Sequence, residues 1–398
     1  MRARSVDILV DAVQAELFGA GLQADPHELV DHLPELRPLG RQHLVAPILH
    51  GALAALVPPD APGMTELGDD RLSAVGNHLR TLADLARLKP VLESMGARWA
   101  VVKGPVLAEV FYPRPDLRSY DDLDVLVDPS QFGEVVDALE SLGARLLDQN
   151  WPLIRSSGRG ELSLVLWHGT VLDLHWDLIT ERTVRAGFQV RTRDLLDRTR
   201  MVDVASIPVP TLGVGDTLLY LALHSLLAGG DRLGWFADVS AVMSVDGALT
   251  LADWRRAEVA GTALPAAIIL DRVRRVIGDP HASTSLANAP RTPSWGRLVA
   301  LSDRMRPPEM LPRALSMRIL ARSTRGTSRR SLTAGARSVL DDAALPLLHQ
   351  VAKRRRPGVR PDGGADATNP LWVAAGTAAD RRESLRDFAR HAGAVPNR

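Results

Sequence analysis

The stretch Asp122-Leu123-Asp124-Val125-Leu126-Val127 carries the clearest structural signal in the sequence. Its leucines and valines, and the alternation of acidic and apolar residues at its start, predict a β-strand with one buried face. Successive side chains of a strand point to opposite faces, so Asp122 and Asp124 project from the same side about 6 to 7 Å apart. Two such carboxylates repel each other unless a cation lies between them. On its own, however, such a pair is more often a solvated strand entrance.

The residues before this strand supply groups that favour phosphate. Trp99-Ala100-Val101-Val102 predicts a shorter strand, and Lys103-Gly104-Pro105 follows it and opens a predicted helix. The start of a helix offers backbone N–H groups, and Lys103 adds a cation, so a phosphate group is favoured there. Arg118 lies four residues before Asp122, within reach of a phosphate oxygen or of the acids themselves.

A third acid lies on a later strand. The segments from Glu161 to Trp167 and from Thr170 to Leu178 predict two strands joined as a hairpin at His168-Gly169. In the second strand, Asp173 and His175 share one face. A third carboxylate is what a two-metal site needs, because two acids can bridge both ions while the third holds the ion that activates the attacking oxygen. His175 is then a metal ligand, a partner that orients Asp173, or a structural hydrogen-bond partner.

Strands that alternate with helices and then pair in a hairpin predict an α+β fold, with a small mixed β-sheet core flanked by N-terminal and C-terminal helical regions. Apolar residues at helical spacing recur on both sides of the core. The predicted divisions are an N-terminal helical region (1–95), the core (96–210), a helical domain (211–295) and a basic, partly helical, partly disordered C-terminal region (296–398). Within the last region we expect helices over Met310 to Ala321 and Leu332 to Val351, and a disordered linker over Arg356 to Pro370.

Composition limits the chemistry. The chain has 398 residues, 45% of them hydrophobic, a net charge of +1 and no cysteine. Disulfides and thiolate zinc sites are therefore excluded, and a bound metal must be a hard cation held by carboxylates or an ion held by histidine. No apolar run reaches the roughly 18 to 20 residues that span a bilayer, and a signal-peptide pattern is lacking, so we expect a cytoplasmic protein. Residues 296–398 carry 20 Lys and Arg against 9 Asp and Glu, which fits a solvated tail or a segment that binds polyanions.

In their order, these residues resemble the signature of an uncharacterised bacterial nucleotidyltransferase family within the DNA polymerase β-like superfamily. The matching elements are Lys103-Gly104, Arg118 with the stretch from Asp122 to Val127, and Asp173-Leu174-His175-Trp176. The similarity covers residues 70 to 245 or so and includes His224 and Asp238 in the helices that follow the core. The core is then expected to be a nucleotidyltransferase core.

The resemblance implies a transferase that moves a nucleoside monophosphate from an NTP such as ATP to an acceptor and releases pyrophosphate. It implies that Asp122, Asp124 and Asp173 are catalytic and bind Mg²⁺, or alternatively Mn²⁺. It also implies that Lys103, Gly104 and Arg118 bind the nucleotide. The family usually has a Gly-Ser or Gly-Gly-Ser element at the triphosphate, whereas this chain has Gly104-Pro105-Val106.

Three further residues are candidates for positioning these groups through side-chain contacts: His175, His224 and Asp238. His224 lies on an apolar helix, where a core histidine is the commoner case. Asp238 could pair with His224 across a helical hairpin, which would be a structural role.

Other functions were weighed against this one. A glycosyltransferase also uses a D-x-D pair but places it after a longer series of strand–helix units, and a D-x-D-x-T phosphatase requires a threonine where Leu126 stands. The main alternative is a catalytically inactive adaptor or binding protein with the same fold, which the missing serine favours and the three intact acids disfavour. The acceptor stays open among a small molecule, a protein or peptide, and RNA. A membrane partner is not expected, and no oligomeric state is predicted.

Overall fold

The computed structural model describes residues 2–340 and 377–391. The helices, in chain order, are α1 (Arg2–Phe18), α2 (Pro26–Gln42), α3 (Ala46–Leu53), α4 (Met64–Ser94), α5 (Phe132–Ser141), α6 (Trp151–Ser157), α7 (Arg182–Arg185), α8 (Thr192–Leu196), α9 (Val214–Leu227), α10 (Leu233–Asp246), α11 (Leu251–Ala260), α12 (Ala263–Val276), α13 (Pro280–Ala287), α14 (Ser294–Met305), α15 (Leu315–Arg322), α16 (residues 328–340) and α17 (Ala378–His391). A π-helical turn over Leu107–Phe111 and a 3-10 turn over Pro115–Leu117 lie between α4 and α5. Within the described ranges, no helix is both long enough and apolar enough to cross a membrane.

Seven strands of the described chain form one mixed sheet in the order β3-β4-β5-β2-β1-β7-β6. The strands are β1 (Trp99–Val101), β2 (Asp122–Val127), β3 (Arg145–Leu146), β4 (Glu161–Val165), β5 (Val171–His175), β6 (Arg200–Val204) and β7 (Ile207–Thr211). β2 pairs in parallel with β5 and antiparallel with β1, so it occupies the centre of the sheet. The predicted α+β class, a mixed sheet flanked by helices, is confirmed.

The two faces of β2 have different surroundings. Leu123, Val125 and Val127 are fully buried and belong to the main hydrophobic cluster, together with residues of α4 and α5. On the opposite face, Leu126 packs in a smaller apolar cluster that includes residues of α8 and α9. Asp122 and Asp124 lie on this second face by the alternation of the strand. The sheet therefore presents its acids towards the side on which α9 lies.

The helical regions share one core with the sheet. A single hydrophobic cluster runs from α1, α2 and α3 through the sheet to α9, α10 and α12. Helix α4 ends at Ser94 and strand β7 ends at Thr211, close to the boundaries predicted after residues 95 and 210. Because the cluster crosses both boundaries, the division into domains stays a prediction.

Strands β3, β6 and β7 were not predicted from the sequence. For β7, the composition of the strand explains why. It contains Pro208 and Pro210, which cannot donate to a strand ladder and therefore argue against a strand. In the structure β7 meets β1 at the pair Val101–Thr211, and the Thr211 hydroxyl donates to the Val101 carbonyl at 2.7 Å. Both prolines lie opposite residues of β6.

The C-terminal region is partly described. Helix α15 begins at Leu315 rather than at Met310, five residues later than expected. The helix predicted over Leu332 to Val351 overlaps α16, but its second half and the whole linker predicted over Arg356 to Pro370 lie outside the described residues. Helix α17 packs on the core through Phe388, whose ring stacks on Trp176 with centroids 5.5 Å apart.

Candidate functional site

The three predicted acids converge at the centre of the sheet. The parallel register of β2 and β5 sets Asp124 directly beside Asp173, and Asp122 lies two residues earlier on β2. Each acid offers a carboxylate oxygen within 4.8 Å of those of the other two. Asp124 is 2% exposed, while Asp122 and Asp173 are partly exposed. The structure thus brings together three carboxylates in one cluster, which is buried at Asp124 and partly accessible at Asp122 and Asp173.

Two cationic side chains hold one oxygen of Asp124. The Lys103 ammonium lies 3.0 Å from Asp124 Oδ1, and His175 Nε2 lies 3.2 Å from the same oxygen. Asp124 Oδ2 is buried and has no hydrogen-bond partner among the described residues. A buried carboxylate oxygen without a partner costs free energy unless a ligand satisfies it. His175 therefore contacts Asp124, whereas orienting Asp173 was one of the three roles that the sequence left open for it.

The three acids differ in their pKa values. Burial, reinforced by the Asp124 carboxylate, raises the pKa of Asp122 to about 6. Burial and the nearby Glu161 carboxylate raise the pKa of Asp173 to about 7. Burial opposes ionisation of Asp124 as well, but Lys103 and His175 outweigh it and hold the pKa of Asp124 far below its usual range. The cluster thus holds one firmly ionised carboxylate and two whose raised pKa values a nearby positive charge would lower.

The neighbouring strand β4 supplies partners that the sequence reasoning did not identify. Ser163 lies opposite Asp173 and donates its hydroxyl to Asp173 Oδ1 at 2.6 Å. Glu161 lies opposite His175, with Oε2 3.3 Å from His175 Nδ1. Burial lowers the pKa of His175, but the Asp124 hydrogen bond and Glu161 more than compensate and raise it to about 9. A signal for both residues was available, because a hairpin centred on His168 sets each of them opposite its partner.

The Arg118 side chain forms an ion pair with a residue of helix α10. Its guanidinium binds Asp238 of α10 in a bidentate pair, with Nε–Oδ1 at 2.8 Å and Nη2–Oδ2 at 3.0 Å. Its Nη1 donates to the Gly104 carbonyl at 3.2 Å, and the Tyr112 hydroxyl donates to Asp238 Oδ1 at 2.8 Å. Asp238 therefore pairs with Arg118 and Tyr112 rather than with His224. The pair ties α10 to the turn that carries Lys103.

That turn requires glycine. Gly104 has a φ of +57°, in the left-handed region. A Cβ atom there would lie 3.1 Å from the Asp122 carbonyl oxygen and 3.5 Å from the Tyr120 ring. A side chain at this position would push against the start of β2. Gly104 thus allows the Lys103 turn to approach the first acid closely.

Helix α9 covers the acid face with two rings. Burial raises the pKa of the Tyr220 hydroxyl, and the ring centroid lies 5.9 Å from the Lys103 ammonium. His224 is half-buried beside the Tyr220 and Trp235 rings, with centroids 6.0 and 6.4 Å away. The charge of Lys103, and then burial, lower the pKa of His224 to about 3. His224 is therefore neutral at physiological pH and cannot add positive charge to the site.

This arrangement has the composition of a site for a hard divalent cation. Such ions take carboxylate oxygens as ligands, and the cluster offers three acids, one of which has a buried oxygen that no described residue satisfies. The Lys103 ammonium lies at the edge of the cluster and neutralises the other oxygen of Asp124, Oδ1. The residues present fit such an ion, together with an anionic ligand beside it.

The chain is similar to a described protein family and to a solved structure. The model of a family described as uncharacterised nucleotidyltransferase matches residues 32–277, a wider span than the residues that carry the sequence signature. Among solved structures, the chain is similar to an antigenic nucleotidyltransferase-like protein from Paracoccidioides brasiliensis, with 14% identity over 53% of this chain and 93% of that chain and a TM-score of 0.34. No curated protein matches the chain. Because the family model covers more than half of its length, the chain belongs to the uncharacterised nucleotidyltransferase family.

Proposed function

We propose that this protein is a metal-dependent nucleotidyltransferase that moves a nucleoside monophosphate from an NTP, ATP among them, to an acceptor. The observation that carries the proposal is the cluster of Asp122, Asp124 and Asp173. Each acid offers a carboxylate oxygen within 4.8 Å of those of the other two, and one buried oxygen of Asp124 has no partner in the part of the chain that the structure describes. Asp122 and Asp173 have raised pKa values even beside Lys103 and His175, so a bound metal ion would further stabilise the three acids. The adaptor alternative offers no reason for the chain to retain them.

The reaction is an in-line displacement. A lone pair of the acceptor oxygen or nitrogen forms a bond to the α-phosphorus of the NTP. The bond between that phosphorus and the oxygen bridging to the β-phosphorus breaks, and pyrophosphate leaves with the electron pair. The acceptor loses one proton. Asp173 is the acid proposed to take it at Oδ2, since Oδ1 already accepts the Ser163 hydroxyl.

The three acids are proposed to hold Mg²⁺, or alternatively Mn²⁺. Bound there, the ion would polarise the phosphate oxygens and neutralise charge that develops in the transition state. Asp124, the ionised member, is held in place by Lys103 and His175. Ser163 orients Asp173 from behind, in the manner of hydrogen-bonding partners that position metal ligands.

Lys103, Gly104 and Arg118 are proposed to form the nucleotide side of the site. Lys103 is an ammonium at the edge of the acids, so it can bind a phosphate oxygen while it remains near Asp124. Arg118 is already engaged by Asp238 and Gly104. The proposed role of Arg118 is therefore to hold the Lys103 turn in place. Arg118 could contact a phosphate directly only after its ion pair with Asp238 had broken. This fixed turn would compensate for the serine that the family usually has.

Nucleotide turnover tests the proposal. Purified protein is incubated with each α-labelled NTP, Mg²⁺ or Mn²⁺, and acceptor candidates from the small-molecule, peptide and RNA classes, and released pyrophosphate and labelled acceptor are measured. The Asp122→Asn/Asp124→Asn variant removes charge at nearly constant shape and is expected to abolish release. Asp11→Asn, an acid on α1 outside the cluster, is the matched control and should retain it. Nucleotide binding without turnover under every condition would favour the adaptor, and activity that survives the double substitution would refute the site.

A further inference from the structure

A cavity of about 330 Å³ opens between α8, α9, α11 and the segment that follows β5. Its volume lies within the range of small-molecule sites, and such sites are mostly apolar with a few polar groups at fixed places. Most of its wall is apolar: Leu178, Ile179, Val190, Leu195, Leu219, Leu223, Val259 and Ala260.

The cavity and the acid cluster share one wall. Tyr220 lines the cavity, and the centroid of its ring lies 5.9 Å from the Lys103 ammonium, which is itself 3.0 Å from Asp124. The cavity therefore begins one side chain away from the proposed chemistry.

The mouth of the cavity carries unbalanced positive charge. Four arginines and two aspartates line it. Arg198 is neutralised by Asp216 in a pair of hydrogen bonds of 2.7 and 3.2 Å, and Arg256 pairs with Asp253. Arg191 and Arg255 are exposed and have no side-chain hydrogen bond or ion pair with any of the described residues. The exposed Asp194 also lines the cavity, so the two unpaired guanidinium groups leave an excess of one positive charge at the rim. They match an anionic group on a ligand with an apolar body.

We infer that this cavity is the acceptor subsite and that it takes a small amphipathic anion, with an apolar body inside and a carboxylate or phosphate group at Arg191 and Arg255. The assignment to the acceptor rests on the proposed nucleotidyl transfer. The NTP is the less suitable occupant, because its base is uncharged and its phosphates are proposed to lie at Lys103. An anionic group at the mouth must then belong to a second molecule.

Direct binding tests the inference without any turnover. Isothermal titration calorimetry compares 4-phenylbutyrate, 4-phenylbutanol and 4-phenylbutylamine, which share one apolar body and differ in charge. The butyrate is expected to bind about tenfold more tightly than the alcohol, and the amine more weakly than either. 4-Phenylbutyl phosphate, titrated in parallel, distinguishes a phosphate preference from a carboxylate preference.

Two variants locate the binding. Arg191→Gln/Arg255→Gln should remove the preference for the anion while leaving the alcohol unaffected, and Arg297→Gln on α14 is the matched charge control. Ala260→Phe should fill the cavity and prevent binding of all three compounds, with Ala287→Phe, an exposed alanine at the end of α13, as the matched size control. Equal binding of the three compounds, or binding that the cavity variants leave unchanged, would overturn the inference.

NTP binding measured on the same samples separates this inference from the proposed function. If NTP binds with Mg²⁺ but none of the phenyl compounds does, the acceptor subsite is wrong and the proposed transfer stands. If the phenyl compounds bind in the cavity but NTP does not bind, the acceptor assignment fails together with the proposed function.

Discussion

Arg118 and Asp238, 120 residues apart in the chain, form a buried bidentate ion pair with N–O distances of 2.8 and 3.0 Å. The pair joins the loop before β2 to α10, and through the Gly104 carbonyl it reaches the turn that carries Lys103. Helix α10 thereby restrains the nucleotide side of the proposed site, although α10 lies outside the sheet.

Removing one partner of this pair should destabilise the fold strongly. Arg118→Met leaves the Asp238 carboxylate buried without its counter-ion, which typically costs about 3–5 kcal/mol of unfolding free energy. Urea denaturation measures it, with Lys89→Gln at the more exposed Lys89–Glu93 pair as the control, where a change below about 1 kcal/mol is expected. A loss for Arg118→Met no greater than that of the control would contradict a structural role for the pair.

A methyl group at Gly104 should damage both stability and the site. Gly104→Ala places an L-residue in the left-handed region, which costs about 1–2 kcal/mol, and its Cβ would meet the Asp122 carbonyl oxygen at 3.1 Å. Gly96→Ala is the matched control, because Gly96 has a similar φ of +61° and a Cβ there would lie more than 4 Å from every described neighbour. Thermal unfolding should show a lower unfolding temperature for the Gly104 variant than for the Gly96 variant. Mn²⁺ titration should show a lower metal affinity for it. Equal effects would mean that the contact with Asp122 does not matter.

Metal affinity should rise with pH through the range of 6 to 7. Metal binding requires ionised carboxylates, and in the metal-free protein the pKa of Asp122 is about 6 and that of Asp173 about 7. Below these values protons compete with the ion, so affinity is expected to fall by up to about tenfold for each proton displaced per pH unit. Mn²⁺ titration between pH 5 and 8 measures this. Asp173→Asn should bind more weakly and with a shallower pH dependence, and an unchanged slope would refute the assignment of Asp173.

His224 should make the protein less stable in acid. Its pKa of about 3 in the fold lies below the unfolded value near 6.5, so between these values the unfolded chain binds a proton that the native protein does not. Stability is therefore fully present above pH 6.5 and falls as pH decreases, by at most about 1.4 kcal/mol per unit. Denaturation of wild type and His224→Gln at pH 7 and pH 5 measures the difference between them. If that difference does not change with pH, the histidine is not held neutral.

The candidate acids could be predicted because their placement follows from local geometry. Alternation along β2 sets Asp122 and Asp124 on one face, and the hairpin brings Asp173 onto a strand of the same sheet. The same hairpin register could have identified Ser163 and Glu161. β7 could not be predicted, since Pro208 and Pro210 argue against a strand and only its neighbours β1 and β6 stabilise it there.

What the sequence determined by itself was the strand of the acids, the hairpin that carries the third acid, the burial of Leu123, Val125 and Val127, and the family to which these elements point. Only the tertiary structure decided that Arg118 pairs with Asp238, that His175 supports Asp124, and that Tyr220 separates the acids from an apolar cavity. The physical reason is the range of the interactions. Strand alternation and hairpin register follow from covalent geometry over a few residues, whereas these contacts join segments that meet only when the shared core is packed.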